Sequence, residues 1–147
     1  MSENLDLVRS IYADVERRDF DRVVRDARER VHPEFEWVIA DGPRPGSFKG
    51  VTGIEESFYA MFEAWEDLRF EVEEYRELDG ERVLVLHRFS ARGKTSGPGL
   101  GQVRSNAAGL FHVRGGKVTR VVLYWDRERA FADLGLAPET GTADPPG

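Results

Sequence analysis

Three ionisable side chains stand where this sequence could do chemistry: His87, Asp41 and Asp126. His87 lies inside the run VLVLHRFSA, on the parity of Val85, Phe89 and Ala91, so a strand would aim it at the apolar side with them. There a neutral imidazole can take or give a proton near pH 7, and the same placement also suits a core histidine bonded to a neighbour. Asp126 closes LYWD and precedes RERAFADL, a favoured position for a helix N-cap. Asp41 opens DGPRPG, whose Gly and Pro residues give it a turn role. The other two histidines, His32 and His112, share no metal-ligand spacing with His87, so no metal site is expected. No cysteine is present, which removes thiolate nucleophiles, disulfides and zinc–thiolate sites together. Gly97-Pro98-Gly99-Leu100-Gly101 is not followed by a helix that could bind phosphate, and no nucleophile elbow occurs. No cofactor is expected.

Strands must hold these groups. QVRSNAAGLFHVRGGKVTRVVLYWD, residues 102–126, reads as two long strands joined at Gly115-Gly116, where a tight turn needs positive φ. Both parities of this hairpin are partly apolar, so neither face can be left to water: one should cover helices and the other a partner chain. Ahead of it, Leu68–Leu78 and Arg82–Arg92 form a second hairpin about Asp79-Gly80. Leu5, Val8, Ile11, Tyr12 and Val15 mark a first helix, and Asp19 caps a second one bearing Phe20, Val23, Val24, Ala27 and Val31. The second is stopped at His32-Pro33 and followed by the short strand Phe35–Ile39. A third helix is expected to start in the capping box Thr52-Gly53-Ile54-Glu55 and to bury Ile54, Phe58, Met61, Phe62 and Trp65. Gly93–Gly101 should loop at the sheet's rim, and a last helix over Arg127–Leu134 ends at Gly135.

The strand parities then give a pocket. Trp37 and Ile39, Val85 and Phe89, Phe111, and Leu123 with Trp125 are expected to face inward, with Tyr12, Phe58 and Phe62 closing the opposite wall. Such a cavity is greasy, aromatic and poor in polar groups, suited to a small apolar or aromatic molecule oriented by one or two hydrogen bonds. At 147 residues with 40% apolar and 33% charged side chains, the chain has the make-up of one globular domain, residues 1–136, followed by a loose tail at 137–147. A net charge of −6 spread through mixed sequence argues against nucleic acid. No run is apolar enough to span a bilayer and no signal peptide is evident, so neither a membrane nor export is expected, and a cytoplasmic location is.

Helices first, then long antiparallel strands and a terminal helix, is an α+β order. With LVRSIYADVERRDFDRVV, HPEFEW, FKGVTGIEESF, ARGKTSG and FHVRGGKVTRVVLYWDRERAFADLGL in sequence, the chain resembles the SnoaL-like proteins of the nuclear transport factor 2-like superfamily. The resemblance implies a cystatin-like cone, an α+β barrel in which a curved antiparallel sheet wraps over three N-terminal helices. It also implies a homodimer through the sheet's convex face. For Asp126 it implies the acid/base role of the cyclases, and for Asp41 the neighbourhood of the steroid isomerases' general base. The isomerase oxyanion pair is not reproduced, because Gly109 and Ile11, with Tyr12 beside it, stand at the corresponding places. Two functions stay open: a cofactor-free cyclase, isomerase or dehydratase, and a ligand-binding or dimerisation module without turnover.

Overall fold

The computed structural model describes residues 3–41, 45–93 and 102–136. The rim loop expected within 93–101 and the tail at 137–147 fall almost wholly outside those residues. In chain order the elements are α1 (Glu3–Glu16), α2 (Phe20–Arg30), β1 (Val31–Ile39), β2 (Gly46–Lys49), α3 (Gly50–Ala64), β3 (Trp65–Asp79), β4 (Arg82–Gly93), β5 (Gln102–Arg114), β6 (Lys117–Tyr124) and α4 (Arg127–Leu134). The fold is α+β, and its six strands make one open sheet in the order β2-β1-β6-β5-β4-β3.

The expected α+β fold, a sheet packed over three N-terminal helices, is present, and it differs in detail at one strand pairing and in closure. β3 to β6 form an antiparallel meander, but β1 runs parallel to β6, so the sheet is mixed, and it does not close on itself. The parallel pairing follows from connectivity: helices, not a hairpin, separate β1 from the meander. Register shifts in β3, at Glu66/Arg69, Val72/Glu74 and Glu77/Asp79, mark bulges that bend and twist the strands.

Local signals were read well where a side chain caps or a glycine turns. Asp19 caps α2 by accepting from the Arg22 amide, and Gly115 and Gly116 take φ of 60° and 78° in the β5–β6 turn. Three boundaries differ, and one strand was not expected. α3 begins at Gly50, not at Thr52, because Gly50 at φ 70° turns the chain directly out of β2, and Thr52 is an exposed residue inside the first turn. β2 itself, four residues long, was too short to show a period. Trp65 opens β3 instead of ending α3, and β1 begins at Val31, ahead of Pro33, with an irregular register up to Glu36.

The largest apolar cluster lies between α1–α3 and the inner face of the sheet, and includes Val8, Tyr12, Phe35, Ile54, Phe58, Val85 and Phe111. The outer face was expected to need a partner chain. Within the chain, Ala130 and Phe131 of α4 pack on its apolar cluster of Leu84, Leu86, Ala108, Leu110, Val122 and Tyr124.

Candidate functional site

On the inner face β5 presents Phe111, then Gly109, then Ala107, opposite Val83, Val85 and His87 of β4. Large and small residues are thereby set along one strand, and a helix side chain fills the gap. A Cβ on Gly109 would lie 2.7 Å from the Tyr12 hydroxyl, so the tyrosine tip occupies the space that glycine leaves. That hydroxyl stands 3.3 Å from His87 Nδ1, with the rings of Tyr75, Phe111 and Phe70 packed around the pair. Which atom donates depends on the imidazole tautomer; either way the two side chains share one proton in a dry environment.

Burial governs their titration. His87 is 3% exposed, and burial first, then the positive charge of Arg127, lower its pKa to about 4 against a smaller opposing pull from Glu73. The imidazole is therefore neutral at pH 7. Burial, Tyr75 and Glu16 push the Tyr12 hydroxyl far above the ordinary tyrosine range, so it keeps its proton.

Beyond this pair, the inner surface is a wall of rings. Phe70 and Phe89 lie 5.0 Å apart, Phe89 and Trp125 5.1 Å, Trp65 and Trp125 6.2 Å, and Phe20 and Phe62 5.3 Å. Phe62, Trp65, Phe70 and Trp125 are only partly buried, as are Trp37, Ile39 and Leu123. Rings at the centre of a closed core lose all contact with water, so these partly buried aromatics keep edges that another molecule could meet. Two polar atoms on this face, Trp37 Nε1 and Ser105 Oγ, are buried with no hydrogen-bond partner among the described residues, as is Ser57 Oγ on α3. Buried donors are normally satisfied, so these are atoms a bound molecule could engage.

Of the residues expected to line the pocket, Trp37, Ile39, Phe62, Leu123 and Trp125 therefore keep an accessible edge, while Tyr12, Phe58, Val85, Phe89 and Phe111 are buried beneath them. His87 faces inward as its parity required. The two acids do not join it. Asp126 is exposed and accepts from the Glu128 amide at 3.0 Å as the N-cap of α4. Asp41 accepts from the amides of Trp125 at 2.6 Å and Asp126 at 3.3 Å, extending with its side chain the ladder that Ala40 N to Leu123 O ends. Both carboxylates therefore set the geometry of the β6–α4 junction.

Buried ionic groups were missed. Arg127 is 3% exposed and donates to Glu73 at 2.7 Å and to the carbonyl oxygen of His87 at 3.0 Å. Its signal was present, because Arg127 falls on the same stripe of α4 as Ala130, Phe131 and Leu134. Asp14, 2% exposed, accepts from Arg17 and Arg30 and ties α1 to α2. Burial alone would raise its pKa, but those hydrogen bonds and the charges of Arg30 and Arg22 outweigh it and hold the carboxyl below the usual aspartate value.

A recess of about 820 Å³ shares Phe70, Phe89 and Ser105 with the ring wall and is otherwise lined by polar side chains, among them Arg69, Glu71, Arg88, Ser90, Arg104 and Asn106. It does not contain the Tyr12–His87 pair. Among the described residues no cluster of His, Asp and Glu could hold a metal, and no helix is long and apolar enough to cross a membrane.

Residues 8–121 match the sequence pattern of the SnoaL-like domain. The chain belongs to the SnoaL-like family. Solved structures agree on the fold of this SnoaL-like chain. An NTF2-like protein of unknown function from Burkholderia pseudomallei superposes with a TM-score of 0.71 at 18% identity, over 90% of this chain and 97% of its own. TerC, co-crystallised with polyporic acid, gives a TM-score of 0.69 at 25% identity, over 90% and 98%. A SnoaL-like protein from Jannaschia, provisionally named a polyketide cyclase, gives 0.63 at 19%, over 92% and 94%. No curated protein matches the chain.

Proposed function

We propose that this SnoaL-like protein binds a flat, apolar or aromatic small molecule against the ring-lined inner wall of its sheet. The observation that carries this reading is the set of partly buried rings Phe62, Trp65, Phe70 and Trp125, with Trp37 Nε1 and Ser105 Oγ buried and without a hydrogen-bond partner among the described residues. Rings offer a flat molecule stacking area, and the polar atoms fix its orientation. The co-crystallisation of TerC with polyporic acid supports the same class of ligand. Titration of tryptophan fluorescence with hydroxylated aromatic and quinone compounds tests the proposal. Saturable quenching is expected, weakened roughly tenfold by Phe62→Ala, a loss of about 1.4 kcal/mol. Absence of binding across such a panel, together with no co-purified small molecule in native mass spectrometry, would overturn it.

A second reading adds cofactor-free acid/base chemistry at the same place. It is favoured by the His87 imidazole, unprotonated at pH 7 though burial weakens it as a base, and hydrogen-bonded to a tyrosine that keeps its proton. Because His87 is 3% exposed, the rings above it must shift for a substrate to reach it. His87→Phe separates the readings: turnover lost with binding kept supports catalysis, whereas binding without turnover in the parent protein favours the non-catalytic module. We further propose a homodimer through the polar rows of the convex face, where Arg69, Ser90 and Arg104 lie side by side, next to Glu71, Arg88 and Asn106. Alternating charges in such rows can pair about a two-fold axis. A monomeric mass by light scattering at micromolar concentration would sink that part.

A further inference from the structure

The outer face of the sheet and the inner histidine are joined by one side chain. Arg127, the first residue of α4, is buried, and one terminal nitrogen donates to both the Glu73 carboxylate at 2.7 Å and the carbonyl oxygen of His87 at 3.0 Å. Glu73 is the extra residue at the β3 bulge, immediately after Val72, which pairs with His87 across β3–β4. Arg88, next to His87, holds the other oxygen of Glu73 at 2.7 Å. The backbone that carries the imidazole, the bulge on the strand beside it and the start of α4 therefore meet at a single guanidinium.

We propose that Arg127 is a positioning residue for His87, clamping its strand segment to the Glu73 bulge and coupling the seat of α4 on the outer face to the imidazole on the inner face. The inference rests on reading His87 as the polar group of the inner site. Guanidinium suits the role because its planar, permanently charged fork serves a carboxylate and a carbonyl oxygen at once. Its charge acts as well, since a buried cation close to an imidazole opposes protonation. Among the described residues, these polar and charged groups lie around His87. α1 supplies the Tyr12 hydroxyl, with Glu16 farther along bonded to the Val72 amide; β3 supplies Glu73 and Tyr75; β4 supplies Arg88; β5 sets uncharged Ala107 opposite; and α4 supplies Arg127.

Two substitutions of opposite sign test the clamp on the full chain, read by NMR of the His87 ring during a pH titration. Arg127→Gln removes the cation and leaves Glu73, so the midpoint of His87 is expected to rise by about one pH unit. Glu73→Gln leaves the cation without its anion, so the midpoint is expected to fall, and Arg127→Lys is expected to stay closer to the parent than Arg127→Gln. A residue with a structural role only would lower the melting temperature and leave the midpoint where burial sets it. Midpoints unchanged in both Arg127→Gln and Glu73→Gln would overturn the proposal, and Glu73→Gln alone decides if Arg127→Gln does not fold. The titration needs no ligand, so failure to bind small molecules would strike the proposed function and not the clamp.

Discussion

At the scale of single residues, Gly109 and Tyr12 decide how the inner face packs around His87. The tyrosine tip sits where a side chain at 109 would be, with Phe111 and Leu123 carbons at 3.3 and 3.4 Å from the same point. A methyl group there cannot be relieved by swinging Tyr12 aside, because that ring is 4% exposed and packed against Tyr75, His87 and Phe111. Gly109→Ala is expected to destabilise the fold by about 1–3 kcal/mol in urea unfolding. Adding Tyr12→Phe removes the clashing oxygen, so the double variant should lose less than the sum of the two single ones. Strict additivity would mean that the hydroxyl does not fill the space over Gly109.

At the scale of elements, the β6–α4 junction is set by two aspartates whose roles differ. Asp126 caps one exposed helix end, and its replacement by Asn, itself a good cap, should change stability by less than about 1 kcal/mol. Asp41 reaches across from β1 to two backbone amides, so Asp41→Ala is expected to cost about 1–3 kcal/mol and to loosen α4. Amide hydrogen exchange should speed up at Trp125 and Asp126 in that variant. If Asp126→Asn instead abolished a measured turnover while the melting temperature held, the acid/base role implied by the family likeness would be restored to it. The cap role of Asp126 was legible in WDRE, but the partners of Asp41 were not, because DGPRPG fixes a turn locally and the two amides it meets lie 84 and 85 residues away.

The whole molecule carries a pH signature. The folded-state pKa of His87, about 4, lies below its unfolded value of 6.5, so the unfolded chain takes up the proton first. Stability is complete above about pH 6.5 and falls as pH drops toward 4, by roughly 3 kcal/mol in all. His112 is lowered in the same direction, first by burial and then by Arg120 and Arg82, and adds to the slope. Asp14 acts in a separate window: its depressed pKa leaves its contribution intact above the ordinary aspartate range, and it is lost only as pH falls through that lower value. Urea unfolding of the parent at pH 7 and pH 4.5 should therefore differ by a few kcal/mol, and most of that difference should vanish in His87→Phe. An unchanged difference would show that His87 is not buried neutral.

What the sequence determined by itself was whatever is local or periodic: the helices from their 3.6-residue stripes, the meander from alternation and glycine turns, the inward parity of His87, and the family through motifs in order. Only the tertiary structure decided which surfaces face each other. It laid α4 over Leu84, Leu110 and Val122, set β1 parallel to β6, sank Phe111 and Val85 beneath the ring wall, and brought Arg127 to Glu73 and to the backbone of His87. Periodicity gives the direction of a side chain relative to its own element. What it meets depends on how bulges bend the sheet and on which helix closes over it, and those are properties of the packed chain as a whole.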